Sequence, residues 1–132
     1  AAARLEGKPV MVDFTGFGCV NCRKMEAAVW TDAKVADLLN QKYVLISLFV
    51  DDKTPLPEQI EVTDTDGSKR TLRTVGDKWS YLQRYKFGSN TQPMYILIDN
   101  EGKPLTGSRS YDEDISEYMD FLNAGLDAYA NR

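Results

Sequence analysis

Apolar residues in this chain fall into blocks whose spacing changes from strand-like to helical and back. Pro9-Val10-Met11-Val12-Asp13-Phe14 opens the first block. Positions 10–15 read as a strand that is apolar on both faces, as in a central strand covered on both sides. Gly16 and Gly18 then free the backbone to turn. A helical pattern starts near Val20, with Met25 and Val29 on one face. Trp30 closes that helix as a core or hinge-packing residue. Thr31-Asp32 starts a second helical piece carrying Val35, Leu38 and Leu39. Positions 43–50 are almost unbroken Val, Ile, Leu and Phe, predicting another central strand, parallel to the first across the helices. Asp51-Asp52 ends it as a solvated strand end in preference to a metal site. Before the first strand, positions 1–6 read as a short helical turn closed by Gly7.

The second half begins with a polar stretch, 53–76, holding Pro55 and Pro57 and contributing little to a core. Within it, 60–65 and 68–75 flank Asp66-Gly67, which predicts an inserted β-hairpin with a two-residue turn. Such a hairpin projects from the domain, either to dock a partner or as surface decoration. Asp77 caps a helix bearing Trp79, Leu82 and Tyr85 along one side, and Phe87-Gly88 ends it. Asn90-Thr91-Gln92 leads into Pro93, and 94–98 is a third apolar strand. After a turn at 100–103, Leu105 onward pairs back as an antiparallel strand to about Ser110. Positions 112–130 form an amphipathic helix with a core stripe of Ile115, Tyr118, Met119, Leu122 and Leu126. No repeat, low-complexity tract or second domain is visible, so 1–132 reads as one α/β domain.

With 42% apolar and 27% charged residues, the composition is that of an ordinary soluble domain. A net charge of −4 disfavours nucleic acid and anionic membranes as main partners. No apolar run has the roughly 20 residues of a transmembrane helix, and there is no signal-peptide pattern. The chain starts Ala1-Ala2-Ala3 without Met, as expected of a processed protein, an excised domain or a cloning remnant. Nothing in it implies an oligomer, so a monomer is expected. The absence of histidine removes His-based catalysis and His-dependent copper carriage. Two cysteines fall short of the four ligands of a structural zinc site, so no metal is expected.

Those two cysteines carry the chemistry. Cys19-Val20-Asn21-Cys22 lies where the first strand gives way to a helix, the setting of a C-x-x-C redox motif. A thiol on the first helical turn faces unpaired backbone N–H groups and the positive end of the helix dipole, which favour thiolate. The second thiol, one turn on, is close enough to form a disulfide with the first. A loop this small does little to staple a fold, so the pair reads as redox-active. It moves two electrons without a bound cofactor.

The strand at 10–14, the Cys19–Cys22 motif, Pro93 before a strand and the C-terminal helix resemble the thioredoxin family over nearly the whole chain outside 53–76. The resemblance implies a thioredoxin-like fold: a central mixed sheet flanked by helices, here with the inserted hairpin. Within the family, Lys8 to Phe14, Cys19-Val20-x-Cys22-Arg23-Lys24-Met25-Glu26 and Val50-Asp51 are most similar to the C-terminal domain of DsbD-type thiol:disulfide interchange proteins. By that resemblance Pro93 is cis and Gln92 offers its backbone to an incoming peptide. Asp13 is the buried acid that takes the proton of the resolving thiol, and Glu26 is a second acid near it. Arg23 and Lys24 are solvated helix charges. Two departures stand out. Gly18 occupies the place of a family Trp, leaving Phe17 to supply part of the lost apolar surface, and Gln92 replaces an Ile or Leu.

The expected function is protein thiol:disulfide exchange in the reductive direction, with Cys19 as the exposed nucleophile and Cys22 as the buried resolving thiol. The resemblance implies a membrane-embedded dithiol donor upstream, disulfide-containing substrate proteins downstream, and a periplasmic or other extracytoplasmic location. Two alternatives stay open on sequence grounds: a disulfide oxidase or isomerase, and a thioredoxin-like binding module with idle thiols.

Overall fold

The computed structural model describes residues 7–131, and the helical turn expected over 1–6 lies outside them. In chain order the elements are β1 (Val10–Thr15), α1 (Val20–Ala28), α2 (Ala33–Lys42), β2 (Val44–Phe49), β3 (Pro55–Thr63), β4 (Lys69–Thr74), α3 (Val75–Phe87), β5 (Met94–Ile98) and α4 (Ile115–Ala130). β1 is the middle strand of a three-stranded mixed sheet ordered β2-β1-β5, parallel to β2 and antiparallel to β5. All six residues of β1 are buried, which is why its sequence is apolar on both faces. Met11 faces a core built with Met25 of α1 and Val29 at its C-cap, Val35 and Leu39 of α2, and Tyr118 and Leu122 of α4. Val10, Val12 and Phe14 face the other way, onto Met94 and Ile96 of β5 and the flank of α3. Each fully buried side chain of this size stabilises the fold by about 1.5–3 kcal/mol before chain entropy is counted. Trp30 is a packing residue, its Nε1–H donating to the Tyr118 hydroxyl at 3.1 Å.

Several elements differ from the sequence-based expectation. β2 is parallel to β1 but is not central: among the described residues it has no outer neighbour. Leu45, Ile46 and Ser47 are accordingly exposed. The hairpin forms, with a longer turn than two residues. The Gly67 N–H bonds to the Asp64 carbonyl (2.9 Å), the Asp64 N–H to the Ser68 carbonyl (2.8 Å), and Gly67 takes φ +85°. It also does not simply project. Asp64 is buried and ion-paired to Arg70 (2.8 Å) and to Arg84 of α3 (3.0 Å), and Leu72 is in the core. The N-cap of α3 is Thr74, not Asp77. Asp77 is the third helical residue of a capping box that returns to the Thr74 N–H. Tyr85 is exposed, while Gln83, on the buried face, is fully enclosed. The segment from Pro104 to Arg109 returns along β5 through isolated bridges, Ile98 with Pro104 and Tyr95 with Arg109, instead of a continuous strand. α4 begins at Ile115, capped by Asp114, and Ile115 is partly exposed at the rim.

Candidate active site

β1 and β2 are parallel with Thr15 opposite Phe49, so the segments following both strands emerge at one edge of the sheet. The loop after β1, Gly16 to Gly18, delivers Cys19 as the N-cap of α1, with extended φ and ψ (−84°, 105°). Its Sγ accepts from the Cys22 N–H at 3.2 Å, and the two sulfurs are joined as a disulfide with Cα atoms 5.3 Å apart. Cys19 is half-buried and Cys22 only 2% exposed, so an incoming thiolate meets Cys19 first.

Asp13, on the buried face of β1, is 2% exposed. Oδ2 accepts a long hydrogen bond from Ser47 Oγ (3.4 Å), and Oδ1 has no partner among the described residues. Burial pushes its carboxyl up to about 7, the charge of Glu26 adds to the rise, and Ser47 and Arg23 oppose it. A carboxyl titrating there can take a proton at neutral pH and return it.

Glu26 is half-exposed and ion-paired to Arg23 at 2.9 Å. Arg23 is more than a solvated charge. The same guanidinium nitrogen donates to the buried Thr15 Oγ1 at 3.1 Å, tying the first turns of α1 to the end of β1. Lys24 is exposed. Phe17 is 61% exposed and stacks on Phe49 with ring centroids 4.1 Å apart. Together with the exposed Val20 it forms an apolar rim beside the disulfide, and Gly18, also exposed, leaves that rim open.

The Gln92–Pro93 peptide bond is cis, immediately before β5. The Gln92 side chain folds back, donating from Nε2 to Gln83 Oε1 (2.8 Å) and to the Asn90 carbonyl (3.2 Å). Gln83 Nε2 in turn donates to the Thr91 carbonyl at 2.7 Å. A buried amide on α3 thus holds the loop that carries the proline.

Sequence reasoning missed Gln83 and Asp51. Gln83 sits at a helix position that reads as polar and exposed. Asp51, read as a solvated strand end, accepts from the Phe17 N–H (2.8 Å) and the Gly18 N–H (3.0 Å). One signal was available: parallel strands end at the same sheet edge, so the residue after β2 lies beside the loop after β1. No cluster of three or more potential metal ligands occurs among the described residues, and no described helix is long and apolar enough to cross a membrane. A cavity of about 420 Å³ lies against β4 and α3, lined by Lys69, Arg73 and Arg84, away from the cysteines. Thiol exchange needs an accessible sulfur more than an enclosed pocket, so that cavity is not assigned to the redox chemistry.

Known proteins agree with this geometry. The sequence profile of the thioredoxin-like domain matches residues 1–123. The thiol:disulfide interchange protein DsbD of Ralstonia nicotianae is 33% identical over 86 residues, 57% of this chain. The match spans only 14% of that relative's length. The solved structure of a DsbH oxidoreductase superposes with a TM-score of 0.65 at 16% identity, covering 96% of this chain and 77% of its own. A thioredoxin-fold protein from Helicobacter pylori gives 0.65 at 13% identity, covering 95% and 73%. A thioredoxin from Thermus thermophilus gives 0.53 at 23%, covering 92% and 75%. At these identities the superpositions speak for the fold alone.

Proposed function

The chain belongs to the thioredoxin-like family, and we propose that it is a protein-disulfide reductase, relaying electrons from an upstream dithiol to disulfide-containing proteins. The observation that carries this reading is the Cys19–Cys22 disulfide at the start of α1, one sulfur accessible and the other enclosed. In the reduced chain the Cys19 thiolate attacks a substrate disulfide, forming a mixed disulfide and releasing one substrate thiolate. Cys22 gives its proton to Asp13 and attacks Cys19 Sγ, which re-forms the internal disulfide and releases the second substrate thiolate. Two electrons leave with the substrate, and an upstream dithiol restores the pair by the reverse exchange. No bound cofactor enters any step.

Phe17 and Gly18 form the exposed surface offered to the substrate chain, the Gln92 backbone pairs with it, and the buried Pro93 holds that backbone in place; Glu26 modulates Asp13 through its charge. Similarity to DsbD supports a membrane-embedded donor and a periplasmic or other extracytoplasmic setting, where disulfide substrates persist. The test is covalent trapping. Cys22→Ser accumulates mixed disulfides with a disulfide substrate, and Cys19→Ser forms none and loses reductase turnover. Full turnover by Cys19→Ser would overturn the nucleophile assignment. A wild-type chain that neither traps nor turns over substrate would leave a binding module with idle thiols.

A further inference from the structure

Three groups at the end of β2 hold the loop that presents Cys19. The Val50 N–H bonds to the Thr15 carbonyl at 3.0 Å, the Phe49 ring carries Phe17, and the Asp51 carboxylate takes the Phe17 and Gly18 N–H groups, one on each oxygen. The fit is close at Gly16, where a Cβ would lie 3.3–3.4 Å from all three carboxyl atoms of Asp51. These amides are the two that immediately precede the nucleophile. Oriented backbone N–H groups at such a position are natural donors to an anion, and here a fixed carboxylate already uses them.

The geometry points to Asp51 as a positioning residue that sets the redox poise of the Cys19–Cys22 pair, by occupying the two loop amides and placing a negative charge beside the nucleophile. A carboxylate near a thiol opposes thiolate formation. Destabilising the Cys19 thiolate destabilises the reduced pair, so the couple becomes a stronger reductant. The charge is maintained. Burial works against ionisation, but the Gly18 and Phe17 hydrogen bonds and the Arg23 charge outweigh it and hold the Asp51 carboxyl below the usual range. The other charged groups nearby are Asp52 on the same turn, Arg23 and Glu26 on α1, and Asp13 on β1. Arg23 is the one cation among them, acting on both Asp51 and Asp13 and paired with Glu26.

The role rests on the thiol-exchange reading, and the experiment separates the two. Glutathione equilibration and the alkylation pH profile of Cys19 are measured for wild type and Asp51→Asn at low and high salt, with trapping of a protein substrate run in parallel. At low salt Asp51→Asn shifts the equilibrium at least threefold toward the dithiol, about 14 mV for a two-electron couple. It also lowers the pH at which Cys19 becomes reactive, and both effects shrink at high salt because the carboxylate is exposed. An unchanged equilibrium and alkylation profile, even with a lowered melting temperature, would make Asp51 a structural anchor only and overturn the inference. Should Asp51→Asn not fold, the wild-type chain decides through its Phe17 and Gly18 amide resonances. They titrate with one carboxyl below the ordinary aspartate range if Asp51 holds them, and stay flat in acid if it does not. Failure of Cys22→Ser to trap the protein substrate, with no turnover by the wild type, would defeat the reductase reading while leaving these glutathione and amide measurements intact.

Discussion

A carboxyl that is 2% exposed and titrates near 7 in the folded chain, against about 3.9 when unfolded, couples folding to proton uptake. Below pH 4 Asp13 is protonated in both states and costs nothing. Between about 4 and 7 only the unfolded chain ionises it, so stability falls as pH rises. Above 7 the loss is complete, at most on the order of 4 kcal/mol. Asp13→Asn therefore matches wild type at pH 4 and is more stable at pH 8, as urea unfolding of the oxidised protein will register. The same variant should slow the resolving step, lengthening the life of the mixed disulfide. Gln83 is the opposite kind of buried polar group, fully enclosed and fully partnered. Gln83→Leu strands the Thr91 carbonyl and the Gln92 amide at an expected cost of about 1–3 kcal/mol. Urea midpoints measure it, and Gln83→Glu, which sets a carboxylate oxygen against the Thr91 carbonyl, should not recover the loss at neutral pH.

Among the elements, the hairpin is joined to α3 at two points: the Asp64 ion pairs and the Thr74–Asp77 capping box. Burial between Arg84 and Arg70 explains how a polar insertion stays ordered, with the Arg84 hydrogen bond holding the Asp64 carboxyl below its usual range. Thr74→Ala removes the cap and should cost about 1 kcal/mol, read from the urea midpoint at constant slope. The junction is also tight. A Cβ at Gly76 would lie 2.5 Å from the Val50 carbonyl oxygen and 2.7 Å from the Asp52 backbone. Gly76→Ala should destabilise by about 1–3 kcal/mol through forced backbone movement, measured the same way. Because Val50 adjoins Asp51, that variant should also disturb the loop before Cys19, visible as shifted Phe17 and Gly18 amide resonances.

Across the whole molecule, what could be read from the sequence was what depends on local pattern. Uniform apolarity marked β1, the switch to a helical period at Val20 marked α1, and two cysteines at a strand-to-helix junction marked the chemistry. What could not be read depends on long-range neighbours. β2 looks central because it is apolar, but its burial depends on a strand outside it, and sequence pattern alone does not supply one. Asp77 looked like a cap because acids favour helix starts, yet Thr74, three residues earlier, holds that place and Asp77 completes the box. Asp51 and Gln83 look like surface residues, and only the parallel strand ends and the cis-proline loop give them partners. Asp13 differs from these: the resemblance pointed to a buried acid there, and the residue is buried.

The measurement that reaches the central claim most directly is the reduction potential of the Cys19–Cys22 pair, by equilibration in graded thiol buffers with trapping of free thiols. A value near or below about −270 mV, the thioredoxin range, is expected if the proposed reductive direction holds. A value near −120 mV, roughly that of a strong disulfide donor, would contradict it and assign the chain to oxidation instead.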